Sequence, residues 1–427
     1  MEEKRSFKIL KDYYIGLMQS KKESRIGVEF EYLLASREKI SYKKIGTEFM
    51  ESLLTTGDFE DFCKNDDGLI TSVSNKVDTI SFDVYYSTIE FSLAPRRNLW
   101  EIYDSWKKYI TLAKNFYEKH GVFLSGIGEN RFNDIDYESV KYEGMYFVNA
   151  INEEFGENRV LRSVSHISSI QTHLDINCDD FIKAYNLANE MFFIDALLFA
   201  NSPAVVDGQK YLLYRDEEWQ QAGFDTEIFD CKFNDFDELF SEIIKEKQYI
   251  TYKNGQVKSI RPSSLIKYYD EEGASEEEIR YFRSFREIIL NKYGCLEFRG
   301  DCTQPVKDCL ITTAFHLGIS GNLDKAEIIM AQMKDELKLT ESNSQLRKKV
   351  IRSEKIGDEE KVKKYLCLFR DCAVEGLKKR NLGEEKFLEG LDSRIESFES
   401  PAKTFLRKLE EGYDVCDLEE SMGSGKL

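Results

Sequence analysis

Polar side chains, several of them acidic, recur at every second position in four widely separated stretches of this chain. Gly27, Glu29 and Glu31 alternate with Ile26, Val28, Phe30 and Tyr32. Glu90 and Ser92 alternate with Ile89, Phe91 and Leu93; just upstream, Ser81, Asp83 and Tyr85 alternate with Ile80, Phe82 and Val84. Gln171, His173, Asp175 and Asn177 alternate with Ile170, Thr172, Leu174 and Ile176, and Glu297 and Arg299 alternate with Leu296 and Phe298. A period of two is that of a β-strand, whose successive side chains point to opposite faces. Each strand then gives one face to a core and one to something polar. An antiparallel sheet with one face in water alternates in the same way. Residue identity tips the balance, because a solvated face carries Thr, Ser, Lys and mixed charges. Here it carries Glu, Asp, Gln and His with one Arg. Carboxylates gathered on one face repel one another, and burial raises the cost. Divalent cations relieve it, and a set of oxygen donors with few nitrogens suits magnesium or manganese rather than zinc. Magnesium held this way also takes phosphate oxygens, and Arg299 would pair with phosphate through its planar fork.

The usual phosphate-cradling loops are missing. No GxxxxGK[ST] sequence occurs, and no GxGxxG follows a strand; Gly126-Ile127-Gly128 is a two-glycine turn. Nucleotide would have to be held by metal ions and basic side chains.

The elements that position these residues are legible from apolar spacing. Aromatic and aliphatic residues at intervals of three and four predict a helix over about 98–120, and a second, more apolar one over about 180–200. From about 310 onward the pattern is mostly helical, punctuated by Gly318 and Gly321, and 421–427 reads as a frayed tail. The division expected is a catalytic core over 1–310 and a mostly helical C-terminal region over 311–427 packed on it. The 427 residues are 41% hydrophobic and 13% aromatic, enough for a large core. A net charge of -18 disfavours nucleic acid and anionic membranes as partners. It does not disfavour a nucleotide bridged by cations. No run of about 18 apolar residues is present, and residues 1–20 lack a signal-peptide layout, so a cytoplasmic location is expected. The nine cysteines are odd in number and lack a CxxC pair, which argues for reduced thiols. Cys295 and Cys302 flank a site strand but have no recognisable base and read as inert. His120 and His166 read as surface or packing residues, and His316 as a core-edge residue.

Four stretches resemble glutamate–cysteine ligases, a family built on the glutamine-synthetase-type sheet. They are Arg25-Ile-Gly-Val-Glu-Phe-Glu31, Ser81 through Ser92, Ser169-Ile-Gln-Thr-His-Leu-Asp175 and Leu296-Glu-Phe-Arg-Gly-Asp301. A fifth, from Ala200-Asn-Ser-Pro203 through Arg215 to Trp219, looks like the family's substrate-side loop. The resemblance implies an α+β fold: a curved, mainly antiparallel sheet with a concave active-site face, helices outside and a helical C-terminal region. It implies metal binding by Glu29, Glu31, Asp83, Glu90 and Glu297, with Gln171 a ligand near metal and nucleotide and His173 beside it. Arg299 falls where the family has an arginine on the ATP phosphates, and Arg215 is similar to one that contacts substrate or phosphate. Asp83 and Glu90 also fit plain surface acids, and Arg215 also fits a simple pairing with Asp216 or Glu218. The cofactors implied are Mg2+ or Mn2+, with ATP as co-substrate. The activity implied is that of glutathione biosynthesis: ATP phosphorylates the side-chain carboxylate of glutamate, and the amine of cysteine displaces phosphate. A ligase with another amine acceptor, or a noncatalytic binding protein on the same scaffold, fits the same residues. Gln171 stands where other members have His, no second ligase module follows, and neither acceptor pocket nor oligomeric state is legible.

Overall fold

The computed structural model describes residues 5–65, 67–83, 85–129, 166–222, 227–254, 256–271 and 273–424. Val84 and the last three residues of the expected tail lie outside the described residues. The alternating stretches become strands of one nine-stranded sheet. Its members are β1 (Ile26–Ser36), β2 (Asp61–Lys64), β3 (Ile70–Ser74), β4 (Thr79–Phe82), β5 (Thr88–Arg96), β6 (Val122–Ser125) and β7 (Ile170–Leu174). Two short hairpins follow, β8 (Ala204–Val206) with β9 (Gln209–Tyr211), and β10 (Lys247–Lys253) with β11 (Gln256–Ser264). Then β12 (Ile288–Leu290) and β13 (Leu296–Phe298) complete the sheet. Its order is β12-β13-β7-β1-β5-β4-β3-β2, with β6 also paired to β1. All of these pairings are antiparallel. The α+β class with an antiparallel sheet, expected from the sequence, is the fold formed.

β1 is the axis of the sheet. One edge pairs with β5; the other pairs with β7 along its first half and with β6 along its second. Ile26, Val28, Phe30, Tyr32 and Leu34 are all buried on the apolar face. The helix Leu99–Tyr117 covers that face, as the spacing predicts. Asn98 caps it by accepting from Glu101 N, and Ile102, Trp106, Ile110 and Ala113 turn inward. Trp106 Nε1 donates to Tyr32 Oη at 3.2 Å, which satisfies the one polar atom that a buried indole carries.

Several boundaries differ from expectation, each for a local reason. β7 ends at Leu174, because Asp175 accepts from Arg25 N and Lys21 Nζ, and Asn177 caps the helix Cys178–Phe199. Arg299 lies one residue beyond β13. The stretch from Ala200 to Trp219 is not all loop: after β8 and β9, Arg215 and Trp219 sit on the helix Tyr214–Ala222. Residues up to Ser424 are helical rather than frayed, and Met422 and Gly423 are buried against β6. Gly126 and Gly128 are packing glycines, since a Cβ there would strike the Met422 backbone or Cys302. After β13 every described element is a helix, and among the described residues no helix is long and apolar enough to cross a membrane.

The helices Ile311–Ser320 and Glu359–Arg380 cross at Gly318 and Gly376. A Cβ on Gly376 would overlap the Gly318 carbonyl oxygen, and one on Gly318 would overlap that of Ala373. Gly318 therefore packs rather than punctuates. Gly376→Val should lower the thermal midpoint, at a cost of about 1–3 kcal/mol or more from overpacking. Gly16→Ala, on an exposed helical site with open space around it, should gain about 0.5–1 kcal/mol. Parallel thermal melts check both, and an unchanged midpoint in Gly376→Val would contradict the close crossing.

Candidate active site

Register decides which polar side chains meet. Glu31 faces Glu90 on β5, and Glu29 faces Ser92 there and Gln171 on β7. Gly27 and Glu297 flank His173 on either side. Gly27 has no side chain, and even a Cβ would come within 3.3 Å of His173 Cβ. The centre of this face is shielded from water: Glu31 is 7% exposed, Gln171 7%, His173 9% and Glu297 3%. Burial thus separates a site from the water-facing sheet that alternation alone allows.

Neighbours pin the acids. Glu31 Oε2 accepts from Ser169 N at 2.8 Å and Ser169 Oγ at 2.9 Å, and its Oε1 accepts from Gln171 Nε2 at 2.8 Å. Glu297 Oε1 pairs with Arg299 at 2.6 Å, and its Oε2 accepts from Asn291 Nδ2 at 2.9 Å. Asn291 also fixes the histidine. Its Oδ1 accepts the backbone N–H groups of Tyr293 and Cys295, so its amide nitrogen must be what meets His173 Nδ1 at 2.7 Å. The imidazole then carries its proton on Nε2, 3.6 Å from Glu29 Oε1.

Electrostatics follow from this crowding. Burial first, then Glu297 and Glu31, push the Glu29 carboxyl up to about 7. Burial, then Asp83 and Glu90, push Glu31 up to about 8. Burial would raise Glu297 as well, but His173, Arg299 and Asn291 together hold it below the ordinary glutamate range. Burial lowers His173, leaving it neutral at pH 7, so Arg299 is the cation that keeps Glu297 ionised.

Five of the nine residues singled out in the sequence line one cavity of about 190 Å³: Glu31, Asp83, Gln171, Arg215 and Arg299. Glu29, Glu90, His173 and Glu297 stand beside it on the same face. Arg215 is buried and pairs with Glu287 at 3.3 Å, with Asp216 at 3.8 Å, and donates to the Arg299 carbonyl at 3.0 Å. Trp219 and Phe285 form an apolar wall.

The donors fit magnesium or manganese. They are oxygens, Gln171 Oε1 is buried with no hydrogen-bond partner among the described residues, and two carboxyls are pushed up by burial and by neighbouring carboxylates. Their carboxylates stand apart. Among the described residues, only Asp195, Asp301 and His316 bring three acid or imidazole ligand atoms within 4.8 Å of one another. His316 is buried there rather than at the core edge. Its Nε2 lies 2.7 Å from Asp301 Oδ2, and its ring stacks on Phe298 at 3.8 Å. That stack backs the strand whose next residues, Glu297 and Arg299, face the site. Burial pushes the Cys295 thiol up to about 12 and Cys302 up to about 11, so both are inert at neutral pH.

Sequence reasoning missed Ser169, Glu287 and Asn291 as site residues. The signal for the last two was a hairpin: two short apolar runs, Ile288–Leu290 and Leu296–Phe298, joined through Gly294 at φ 69°.

Glu29 and Glu31 bind protons more tightly folded than unfolded. Their contribution to stability is therefore complete below the ordinary glutamate range and is lost as pH rises through about 7 and 8. Glu29 keeps 32% of its side chain exposed, so water screens it and Glu31 carries the larger share. With a chelator present, the thermal midpoint should fall as pH rises from about 4.5 to about 8. Glu31→Gln should flatten that fall, and added magnesium should reverse it. A chelated wild type with a flat midpoint over this range would contradict the electrostatic picture.

No family model matches the sequence, and no curated protein matches it. Solved structures do match. The chain is similar to a bifunctional glutathione synthetase from Pasteurella multocida, at TM-score 0.50 and 10% identity, over 98% of this chain and 54% of that one. It thus spans about half the length of that protein. It is also similar to a glutamate–cysteine ligase from Francisella tularensis in complex with AMP, at TM-score 0.49 and 11% identity, over 95% and 89% of the two chains. The ligase PafA, in complex with the prokaryotic ubiquitin-like protein Pup, matches at TM-score 0.42 and 12% identity, over 91% and 69%. At these identities the likeness is one of fold.

Proposed function

We propose that this chain is an ATP-dependent ligase that activates a carboxylate as an acyl phosphate and joins it to an amine. Its substrates on this reading are the side-chain carboxylate of glutamate and the amine of cysteine, giving γ-glutamylcysteine, ADP and phosphate. One observation carries the reading: a cavity of about 190 Å³ where Glu31, Asp83, Gln171, Arg215 and Arg299 meet, in a chain without a P-loop. The likeness in fold to a bifunctional glutathione synthetase supports it.

A carboxylate is a poor electrophile, and phosphorylation gives it a leaving group. Glu29, Glu31, Asp83, Glu90, Gln171 and Glu297 would hold Mg2+ or Mn2+, whose charge neutralises the phosphates. Arg299 is the residue we assign to the phosphoryl group. One of its nitrogens is held by Glu297, which aims the rest of the fork, and its side chain is 30% exposed toward the cavity it lines. Trp219 and Phe285 would shield an acyl phosphate from water. No covalent bond to the protein is needed. The nine cysteines are all free, which suits a reducing cytoplasm.

Arg299→Lys should be strongly impaired with ATP whichever amine is supplied, because an ammonium cannot both hold Glu297 and present a planar fork. Steady-state kinetics with several amines decide this: a change confined to the KM of the amine would move Arg299 to the acceptor side. The product assay tests the whole reading. Purified protein with ATP, magnesium, glutamate and cysteine should form γ-glutamylcysteine with matching ADP, identified by mass. Omitting the amine should leave little ADP release. Discrimination against 2-aminobutyrate should stay within about 1–3 kcal/mol, the range for a pocket that only packs around a small group. Product with another amine but not cysteine replaces the acceptor; ADP release that never depends on glutamate removes the ligase reading.

A further inference from the structure

β12 and β13 pair with Ile288 opposite Phe298 and Ile289 opposite Glu297. One step further, Glu287 stands opposite Arg299, and Arg299 N donates to the Glu287 carbonyl at 2.7 Å. Residues directly opposite in an antiparallel pair share a face. Glu287 therefore belongs to the polar face that holds Glu297 and Arg299, and it lines the same cavity as Arg299 and Arg215. It is buried, and its two contacts to Arg215 are long, 3.3 and 3.4 Å. The charged groups around it are Arg215 and Asp216 on the helix Tyr214–Ala222, Arg347 on the helix Asn343–Ile351, and Arg299 beyond β13. Burial, working against Arg215, pushes its carboxyl above the ordinary range.

The reaction requires such a group. An alkyl amine is an ammonium at neutral pH and has no lone pair to attack with. The acids assigned to metal lie on β1, β5, β13 and just after β4 and would be engaged by cations. Glu287 is the cavity carboxylate outside that set, directly across from the arginine assigned to the phosphoryl group. We propose that Glu287 is the general base that deprotonates the acceptor ammonium, an inference that rests on the ligase reading above. One ammonium proton passes to the Glu287 carboxylate. The freed lone pair forms the C–N bond at the acyl carbon, and the C–O bond to phosphate breaks with its electron pair on the phosphate oxygen. The second amine proton leaves with that phosphate, and Glu287 returns its own to solvent.

Hydroxylamine tests this, because it is largely the free base at neutral pH and needs no deprotonation before attack. Wild type and Glu287→Gln are compared with ATP, magnesium and glutamate, using cysteine or hydroxylamine as acceptor. Turnover with cysteine should fall by about 10²–10⁴-fold. The loss of hydroxamate formation should be smaller by at least about tenfold. The acid limb of the kcat/KM profile for cysteine should also disappear. Equal losses with both acceptors overturn the proposal and leave Glu287 as a partner that merely holds Arg215. A wild type that makes neither product overturns the ligase reading, and the proposal with it. Should Glu287→Gln fail to fold, Glu287→Asp keeps the charge beside Arg215. It should show the same acceptor-selective loss in milder form, and an equal loss there is again fatal.

Discussion

Glu31 faces Glu90 across the β1–β5 pair, with Asp83 near and Glu29 two residues along the strand. Burial denies this group the screening that water gives to like charges. Left alone, strands carrying such a face would separate or turn it outward. They stay because the opposite face is so heavily committed: Phe30, Tyr32, Phe82, Ile89 and Phe91 are fully enclosed, under the aromatic helix Leu99–Tyr117. A slip of one residue on β1 would send its glutamates into that core. The repulsion is thus tolerated by the register, and the register by the apolar face. Ser169, Gln171, Asn291 and Arg299 then hold individual carboxylates in place.

The strands were legible because this commitment shows in sequence. Period-two alternation over Ile26 to Tyr32 and Ile89 to Leu93 has a single reading once the apolar partners are large and the polar ones acidic. The helix over Leu99–Tyr117 was legible for the same reason, from its aromatic spacing. Alternation could not tell which of two neighbours a strand has. That β1 changes partner from β7 to β6 halfway along is a property of chain path, set by residues far apart.

The parts of the site that escaped notice act through contacts with no sequence period. Glu287 sits on the face only because a three-residue strand pairs with β13, and three residues are too few to declare a period. Asn291 looks like a turn residue, which it is. Its amide also reaches His173, 118 positions away in sequence, which no local pattern records. His316 reads as one polar residue on an apolar helix. Its burial makes sense only beside Asp301 and Phe298. Arg215 had Asp216 and Glu218 as candidate partners in sequence, yet its nearer partner is Glu287, 72 positions on.

The balance of charge on this face bears on how any anionic substrate could enter. Glu29, Glu31, Asp83, Glu90, Glu287 and Glu297 set six carboxylates against the guanidiniums of Arg215 and Arg299, with His173 neutral. Fully ionised, that leaves four negative charges around a cavity of about 190 Å³. Both arginines are already paired with glutamates, Arg215 with Glu287 and Arg299 with Glu297. A polyphosphate approaching bare protein would therefore meet repulsion, not attraction. Two divalent cations would bring the face to neutrality, and cations shared with the phosphates would turn the acids from an obstacle into the binding surface. On the ligase reading, metal and nucleotide are then one binding problem. The protein's part is to hold six carboxylates on one face, three of them buried, until both arrive.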